Sequence, residues 1–269
     1  MRHAWLIIAH NEFGILQRLV SALDSPQSEI YIHIDKKVES LPDIHVKRSR
    51  LIFLSDRIDV RWGSVLQIKC ELVLLKTAFA SGPYDYYHII SGTTLPLKSF
   101  EEIDLYFHQY RGKSVFRSLC QPPSSQEILK VRRYNLFVRH YASPKAFLRK
   151  SSQFLWKASV AIQRLLGIEA NQGKVFYNAS NWVSLTQDAV KYILGRERDI
   201  LKTYRYSFCG DEYFIPSELM GSPLKDALIN GDHYLLHKII HSNASVYPLT
   251  EYNRLSESGY LFARKFTER

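Results

Sequence analysis

Two adjacent carboxylates stand in a mostly apolar and aromatic stretch near the end of the sequence, SFCGDEYFIPSEL. Asp211 and Glu212 are costly to place beside apolar surface unless a partner or a function retains them. A carboxylate can act as a general base on a hydroxyl group and contributes roughly 10²- to 10⁴-fold to a rate. The pattern after residue 211 also predicts a helix, whose dipole favours acids at its start. The pair therefore has a catalytic and a structural interpretation.

Another carboxylate, Asp35, ends the segment EIYIHID, which has the pattern of a strand. Ligands of open α/β sheets bind outside the carboxyl ends of the strands, where an acid can accept hydrogen bonds from a base or a ribose. A turn on the surface would explain the same residue. The segment IIAHNEFG after the first strand has one glycine, which argues against the G-x-G-x-x-G loop of an ordinary dinucleotide site.

Metal-ligand patterns do not accompany these acids. The sequence has no D-x-D pair and no H-x-x-x-H pair with plausible partner ligands. We therefore expect no metal and no other cofactor, so any bound diphosphate has to be held by fixed cations. The C-terminal tail offers four such cations, each of which could instead be a solvated surface charge: Lys238, Arg254, Arg264 and Lys265.

Positive charge is concentrated in one segment. The net charge is +10, and no acidic residue occurs from Ile128 to Ile168, where Lys and Arg are frequent. This basic insertion, residues 128–168, points to an anionic partner such as lipid headgroups or a phosphate-linked substrate. Its segment FLWKASVAIQRLLG predicts an amphipathic helix that lies on an anionic membrane surface, or a helix packed on the core with a solvated basic face. No nucleic-acid motif occurs, and we expect no nucleic acid partner.

The elements around these residues predict an α/β fold. Apolar runs at 4–9, 29–35 and 50–55 are typical of strands buried in a parallel sheet, and helical spacing separates the first two. Helices are expected at 13–23, 63–80 and 188–194, and a further helix begins with a capping box at Ser99 and Glu102. Strands are expected at 84–91 and 114–119, and residues 175–186 form a strand-like segment. The insertion is expected to contain two helices that separate near Ser143. We predict one domain, residues 1–269.

The sequence gives two further expectations. No apolar run of about 18 residues could span a membrane, and the first residues lack the pattern of a signal peptide, so a cytoplasmic location is expected. Cys70, Cys120 and Cys209 have no metal-like spacing, which predicts buried free thiols.

Taken in order, these segments resemble the core-2/I-branching β-1,6-N-acetylglucosaminyltransferase family, which also contains peptide O-xylosyltransferases. The resemblance extends from about residue 4 to 266 and rests on these segments: AHNEFGILQRLVSALD, YIHIDKK, RWGSVLQIKCELVLLK, YYHIISGTTLPLKS, SNWVSLTQDAVKYIL, CGDEYFIPSEL and LFARKF. It implies a GT-A-like, Rossmann-like fold with a mostly parallel sheet. It also implies an inverting mechanism, a UDP-sugar donor and no metal requirement. The sequence looks like a short bacterial member without the anchor and stem of the animal enzymes.

The same resemblance implies a donor side. The acid of the family's I-H-x-D block falls on Asp35, expected on the uridine, and the lysine of its L-F-A-x-K-F block falls on Lys265, expected on the diphosphate. A second family cation has its nearest match in Lys238, at a longer spacing. Arg61 and Trp62 fall on the R-x-x-W-G-like block beside the donor.

On the acceptor side, the glutamate of the family's P-D-E block falls on Glu212, the expected catalytic base, with Asp211 beside it to brace the turn. The G-S-x-W-F block falls on Ser180, Asn181 and Trp182, near donor and acceptor, and Arg133 falls in the acceptor-side segment.

Two departures from the family pattern bear on the donor and the base. Thr94 stands where an Asp is usual, which bears on the donor sugar, and Gly210 replaces the Pro of P-D-E.

The prediction is thus an inverting, metal-independent glycosyltransferase. It moves a sugar, most simply N-acetylglucosamine, from a UDP-sugar to a glycan hydroxyl in bacterial surface polysaccharide synthesis, on an acceptor that could be lipid-linked. Xylose or another UDP-sugar is the alternative donor. A non-enzymatic protein that binds anionic polymers is the remote alternative.

Overall fold

The computed structural model describes residues 1–119, 122–240 and 243–268. Its strands are β1 (His3–Ala9), β2 (Ser28–Ile34), β3 (Arg50–Phe53), β4 (Tyr86–Ser91), β5 (Leu95–Pro96), β6 (Ser114–Phe116), β7 (Val183–Thr186), β8 (Leu228–Asn230), β9 (Leu235–Leu236), β10 (Ile239–Ile240), β11 (Asn243–Ala244), β12 (Tyr247–Pro248), β13 (Phe262–Ala263) and β14 (Phe266–Thr267). Its α-helices are α1 (Phe13–Ala22), α2 (Val65–Ser81), α3 (Phe100–Gln109), α4 (Leu129–Arg132), α5 (Ala146–Leu165), α6 (Gln187–Gly195), α7 (Glu197–Thr203), α8 (Phe214–Met220) and α9 (Tyr252–Ser256).

Seven strands form the main sheet, in the order β3-β2-β1-β4-β7-β6-β8. Every neighbouring pair is parallel except the two made by β7, which runs antiparallel to β4 and β6. Helix α1 connects β1 to β2 and α2 leads from β3 to β4 in the other direction, so right-handed crossovers place these helices on opposite faces. The predicted α/β fold with a mostly parallel sheet flanked by helices is confirmed.

The middle of the sheet is buried on both faces, as the continuous apolar runs predict. On one face, Trp5 of β1 stacks on His88 of β4 with ring centroids 4.0 Å apart, and Phe107 of α3 packs against His88 at 4.7 Å. On the other face, α2 packs against β1, β2 and β4. This packing fixes the carboxyl ends of the central strands, where the backbone N–H of Asp35 donates to Ala9.

The local predictions hold for α3 and fail in two other places. Ser99 and Glu102 form the predicted capping box. The strand predicted over 175–186 is limited to β7. The first of the two helices predicted in the basic insertion is only the short α4, followed by a 3₁₀ turn at Val138–His140. Phe137, which precedes that turn, has a φ of 65°, a left-handed conformation that interrupts a helix.

Two further expectations concern membrane spans and cysteines. Within the described ranges, the helices are too short or too polar to cross a bilayer. Cys70 and Cys209 are buried free thiols, as predicted, whereas Cys120 lies outside the described residues.

Candidate active site

A tight turn after α7 presents the two carboxylates. Cys209 has a left-handed backbone with φ of 52°, and residues Gly210–Glu212 form one 3₁₀ turn before α8. Two long-range backbone bonds hold the turn, because the N–H of Cys209 donates to Gly63 and the N–H of Ala179 donates to the carbonyl of Glu212, each at 2.9 Å. The turn is therefore fixed from both sides, and the two acids point in different directions.

Glu212 faces Lys130, a cation that is not among the residues predicted for the site. Its Oε2 accepts a bond from Lys130 Nζ at 3.0 Å, and the exposed fractions of the two side chains are 42% and 31%. Burial disfavours the charged ammonium, but the Glu212 carboxylate and other negative neighbours outweigh it and raise the pKa of Lys130. Glu212 is thus partly exposed and oriented by Lys130, so the hydroxyl of a bound molecule can reach it.

Asp211 points into the core beside a second acid, Glu71 of α2, which is also missing from the sequence-based site. Burial, and after it the charge of Glu212, raise the pKa of Asp211 to about 7. Burial also raises the pKa of Glu71 well above its usual range, and Asp211 is the next cause. Neither oxygen of Glu71 nor Oδ1 of Asp211 has a partner at hydrogen-bond geometry in the described part of the chain, and the nearby amides of Gln67 and Asn181 favour the charged form of Glu71 less than burial opposes it. Because charges without partners are costly in the core, the fold stabilises the protonated forms.

We expect Glu71→Gln to change how stability depends on pH. The folded state keeps protons on Glu71 and Asp211 that the unfolded chain has released above about pH 4, so folding binds protons and the free energy of unfolding falls as pH rises toward 7. Each unit of pKa shift corresponds to about 1.4 kcal/mol. Glu71→Gln removes the titration of one group, so the variant gains stability relative to the parent protein with rising pH.

Urea unfolding of both proteins between pH 4.5 and pH 7.5 measures this difference. Burial also lowers the pKa values of His3, His88 and His237, which makes the stability of both proteins rise with pH. This contribution cancels in the difference in stability between the two proteins, so that difference is the quantity to compare. Glu257→Gln makes the same chemical change at an exposed position and is the matched control. A constant difference between the Glu71 variant and the parent would mean that Glu71 is ionised in the folded state.

The segment 179–182 connects the acids to a group of cations. Ser180 Oγ accepts from the N–H of Trp182 at 3.3 Å, and the amide of Asn181 lies next to Glu71, where it favours the charged form of that carboxyl. Trp182 is buried, and the guanidinium of Arg264 lies over its ring at 4.5 Å. The three residues predicted beside donor and acceptor therefore lie between the carboxylates and the C-terminal tail.

The cations around Arg264 form a cluster, which we define as Arg117, Arg264 and Lys265. Burial, and after it repulsion from Arg117, lower the pKa of Arg264 to about 9. Burial and then Arg264 also lower the pKa of Lys265. Between them lies His237, whose pKa is lowered to about 3 by burial and then by all three cations. Among the described residues no carboxylate pairs with these cations, so the cluster has the positive potential of an anion site.

Thr94, the residue that departs from the family pattern, lies next to this cluster. It is buried, and its hydroxyl is 2.9 Å from that of Ser91, which accepts from Arg264 Nε at 3.2 Å. An Asp at this position would bring a negative charge toward Arg264. Thr94 is neutral, so the positive charge of Arg264 is not offset at this contact and can act on a bound anion.

Asp35, Arg61 and Trp62 form the other wall of the site. Lys37 Nζ donates to Asp35 at 2.6 Å and to Asp59 at 3.1 Å, and Arg61 Nε donates to Asp59 at 2.9 Å. Asp35 is buried and connects to the cation cluster through His10, which experiences the charges of both Asp35 and Lys265. The predicted donor-side residues of the β2 end are therefore near each other, and Lys37 is the partner that the prediction lacked.

Trp62 joins this wall to the basic insertion. Its half-exposed ring stacks on Tyr141 with centroids 5.7 Å apart and meets the edge of Phe208 at 5.3 Å. A flat aromatic surface next to the acidic turn is suited to packing against the apolar face of a sugar.

The remaining two predicted residues lie at the margins. Arg133 is buried inside the insertion, where Nη1 donates to Glu169 at 3.2 Å, so its visible role is to hold the insertion together. Lys238 is exposed and, with Arg117 and His237, lines a cavity of 490 Å³. It is thus near the cation cluster without being part of it.

No group of three or more His, Cys, Asp or Glu side chains with the arrangement of a metal site occurs within the described ranges. What the residues do form is one partly exposed carboxylate, three buried acids, an aromatic wall and a cation cluster around the carboxyl ends of the central strands. Such a site can bind an anionic, phosphate-bearing molecule at one end and activate a hydroxyl at the other.

Comparison with known proteins shows the family of this chain. Residues 3–252 match the model of the core-2/I-branching enzyme family. Over 219 residues the chain is 23% identical to N-acetyllactosaminide beta-1,6-N-acetylglucosaminyl-transferase of Homo sapiens, covering 78% of the chain and 50% of that protein. Over 250 residues it is 20% identical to xylosyltransferase 2 of Rattus norvegicus, covering 86% of the chain and 26% of that protein.

Among solved structures, the apo form of mouse xyloside xylosyltransferase 1 aligns with a TM-score of 0.43 and 10% identity, over 97% of this chain and 96% of that one. The family match covers most of the sequence, so the chain belongs to the core-2/I-branching enzyme family. The predicted family is confirmed. The chain spans half the length or less of the curated relatives it matches.

Proposed function

We propose that this protein is an inverting glycosyltransferase that moves a sugar from a UDP-sugar to a hydroxyl of a glycan. The observation that carries the proposal is the site itself: the partly exposed Glu212, oriented by Lys130, shares the carboxyl end of the sheet with the cation cluster. Membership of a family whose matched relatives are named as sugar transferases supports the same reaction class.

In the proposed reaction, the acceptor hydroxyl attacks the anomeric carbon of the donor sugar while its proton passes to Glu212. The bond between that carbon and the phosphate oxygen breaks on the opposite face, and UDP leaves. Lys130 holds Oε2 of Glu212, so we assign Oε1 to the acceptor. One displacement inverts the configuration, and an α-linked donor gives a β-linked product. Holding acceptor, base and leaving group in line supplies much of the acceleration.

The cation cluster takes the charge that develops on the departing diphosphate. Arg264 and Lys265 are preorganised by Trp182, Ser91 and the backbone of residue 245. Fixed cations in a partly buried site stabilise such charge without reorganisation during the reaction. The fixed charge of the cluster therefore supports transfer without a metal ion. It also supports the binding of UDP with its diphosphate at the cluster and its uridine at the wall formed by Asp35 and Arg61.

N-acetylglucosamine is the donor sugar that we propose first, because the human relative carries it in its name. Xylose is the second candidate, supported by the name of the rat relative and by Thr94, which replaces a carboxylate near the donor cations. Thermal-shift titration with UDP-N-acetylglucosamine, UDP-xylose and other UDP-sugars ranks the donors, and linkage analysis of the product then identifies the bond. Stabilisation by none of the UDP-sugars would contradict the proposed function. A role in bacterial surface polysaccharide synthesis stays a prediction.

We expect a chelator to leave the transfer rate unchanged. With the donor chosen by the titration, UDP release is measured in the presence and absence of EDTA, since Arg264 and Lys265 occupy the role that an ion has in other transferases. A coupled assay that needs Mg²⁺ is replaced by direct chromatography of UDP. Loss of activity that added Mn²⁺ restores would refute the role of the fixed cations.

A further inference from the structure

The basic insertion carries a large exposed apolar surface. Ten of the sixteen large hydrophobic side chains that are exposed among the described residues lie between residues 134 and 168. On α5, Phe147 is 80% exposed, Phe154 is 71% exposed and Leu165 is 86% exposed. Together with Ile162 and Leu166 they lie on one side of the helix, at the three-, four- and seven-residue spacings of a single face. A patch of this kind on a water-soluble surface marks an interaction site.

Helix α5 attaches to the protein by its polar side, which is the reverse of an ordinary surface helix. Its buried residues are Ser152 and Gln163. Gln163 accepts from the N–H of Tyr134 at 2.8 Å and donates to its carbonyl at 2.9 Å. Ser152 donates to the carbonyl of Phe137, and Trp156 Nε1 donates to Asn135 at 2.9 Å. The polar contacts fix the rotation of the helix, so its apolar face must point outward.

A row of cations runs along the edge of the apolar face. Lys150, Lys157 and Arg164 are exposed and are spaced seven residues apart, which places them nearly in line along α5. None of the three forms an ion pair with a described residue, and the sequence has no acid between Ile128 and Ile168. The row therefore presents uncompensated positive charge beside the apolar face.

The apolar surface continues from α5 into a shallow groove of 640 Å³. Leu155 and Ile162 form one wall of this groove, and Leu136, Phe137 and Tyr206 belong to the rest of its lining. Helix and groove thus make one continuous surface, which we call the α5 face and define as the exposed apolar residues of 134–168 with Lys150, Lys157 and Arg164.

We propose that the α5 face binds an anionic phospholipid bilayer, with α5 lying in the plane of the headgroups. The apolar side chains fit the boundary between headgroups and acyl chains, and the row of cations fits the lipid phosphates beside it. A second copy of the chain fits less well, because the same face of that copy carries the same positive charges and offers no anionic partner to the cation row.

The docked orientation brings the active site to the membrane. The same insertion supplies Lys130, which binds Glu212, and Tyr141, which stacks on Trp62. Resting on the proposed function, this contact implies that the acceptor hydroxyl belongs to a lipid-linked glycan presented at the bilayer surface. The docking itself does not depend on the reaction.

Flotation with vesicles tests the proposal. We expect the purified protein to float with vesicles of phosphatidylcholine and phosphatidylglycerol in equal parts, and to stay at the bottom of the gradient with phosphatidylcholine alone. The triple variant Lys150→Gln, Lys157→Gln and Arg164→Gln should bind the anionic vesicles roughly a hundredfold more weakly, since each cation contributes about a fivefold factor near an anionic surface. Phe154→Ser with Leu165→Ser should also lose binding, in this case through lost apolar insertion.

The control removes the same charge elsewhere. Lys191→Gln, Arg198→Gln and Lys202→Gln are exposed changes on α6 and α7 and should leave binding to anionic vesicles unchanged. Equal losses in both triple variants would mean a nonspecific charge effect and would overturn the proposal, as would the absence of flotation at low salt. A dimer in solution that Phe154→Ser dissociates would assign the α5 face to a second copy instead. Transfer to a water-soluble acceptor without vesicles tests the proposed function separately.

Discussion

Replacing Glu212 by Gln should abolish sugar transfer while UDP still binds. The amide has nearly the same shape but cannot take the proton of the acceptor hydroxyl, and loss of a general base lowers a rate by roughly 10²- to 10⁴-fold. UDP release in the presence of acceptor measures the rate, and calorimetric titration with UDP measures binding. The cation cluster does not contact Glu212 directly, so the dissociation constant for UDP should stay within a factor of about two of the parent value.

Two controls separate the loss of the base from other effects. Glu257→Gln makes the same chemical change at an exposed position and should transfer sugar at the parent rate. Glu212→Gln also breaks the ion pair with Lys130, but a half-exposed pair contributes about 1 kcal/mol or less, so the unfolding temperature should change little. Transfer by the Gln variant at the parent rate would remove Glu212 from the role of base.

The central strands and the position of Asp35 were predictable because their signals are local. An apolar run bounded by polar residues specifies a buried strand, and the acid after β2 follows from where that strand ends. The capping box of α3 is equally local, since Ser99 and Glu102 are three residues apart. Such elements need no knowledge of distant parts of the chain.

The partner of the base was not predictable, because Lys130 and Glu212 are 82 residues apart and meet only through the fold. In the sequence Lys130 is one of many cations in the basic insertion. Glu71 did leave a signal that the prediction did not use. It lies three residues after Ile68 and one before Leu72, on the buried side of α2, and an acid among apolar positions of a helix indicates a buried charge.

The strand-like pattern of 175–182 was misleading for a physical reason. The backbone of this segment does not join the sheet, since the N–H of Tyr177 donates to Ser217 Oγ and that of Ala179 to the carbonyl of Glu212. The backbone N–H groups that would bond to a neighbouring strand instead bond to residues at and behind the acidic turn. For α5, periodicity predicted the amphipathic helix correctly but could not tell which face is buried, because the polar contacts of Ser152 and Gln163 are with residues of a separate segment.

Replacing Lys265 by Met should weaken the binding of UDP without weakening the binding of uridine. A hydrogen bond from a cation to a phosphate contributes about 1.5–3 kcal/mol, which corresponds to a loss of roughly 10- to 150-fold in affinity. Uridine lacks the diphosphate and meets the wall formed by Asp35, so its affinity should not change. Calorimetric titration of the variant with UDP and with uridine gives the ratio of the two affinities. This ratio isolates the contribution of the diphosphate, which the cation cluster is expected to bind.

Arg264→Lys extends the test to the second cation. Lys keeps the charge but cannot lie flat over Trp182 while donating to Ser91, so the ratio of UDP to uridine affinity should fall by less than with Lys265→Met. Lys191→Met, on the exposed surface of α6, is the matched control and should leave both affinities unchanged. Equal weakening of UDP and uridine by Lys265→Met would show that Lys265 supports the fold of the site and does not bind the diphosphate. The leaving group would then need another source of positive charge, and metal-independent transfer would lose its physical basis.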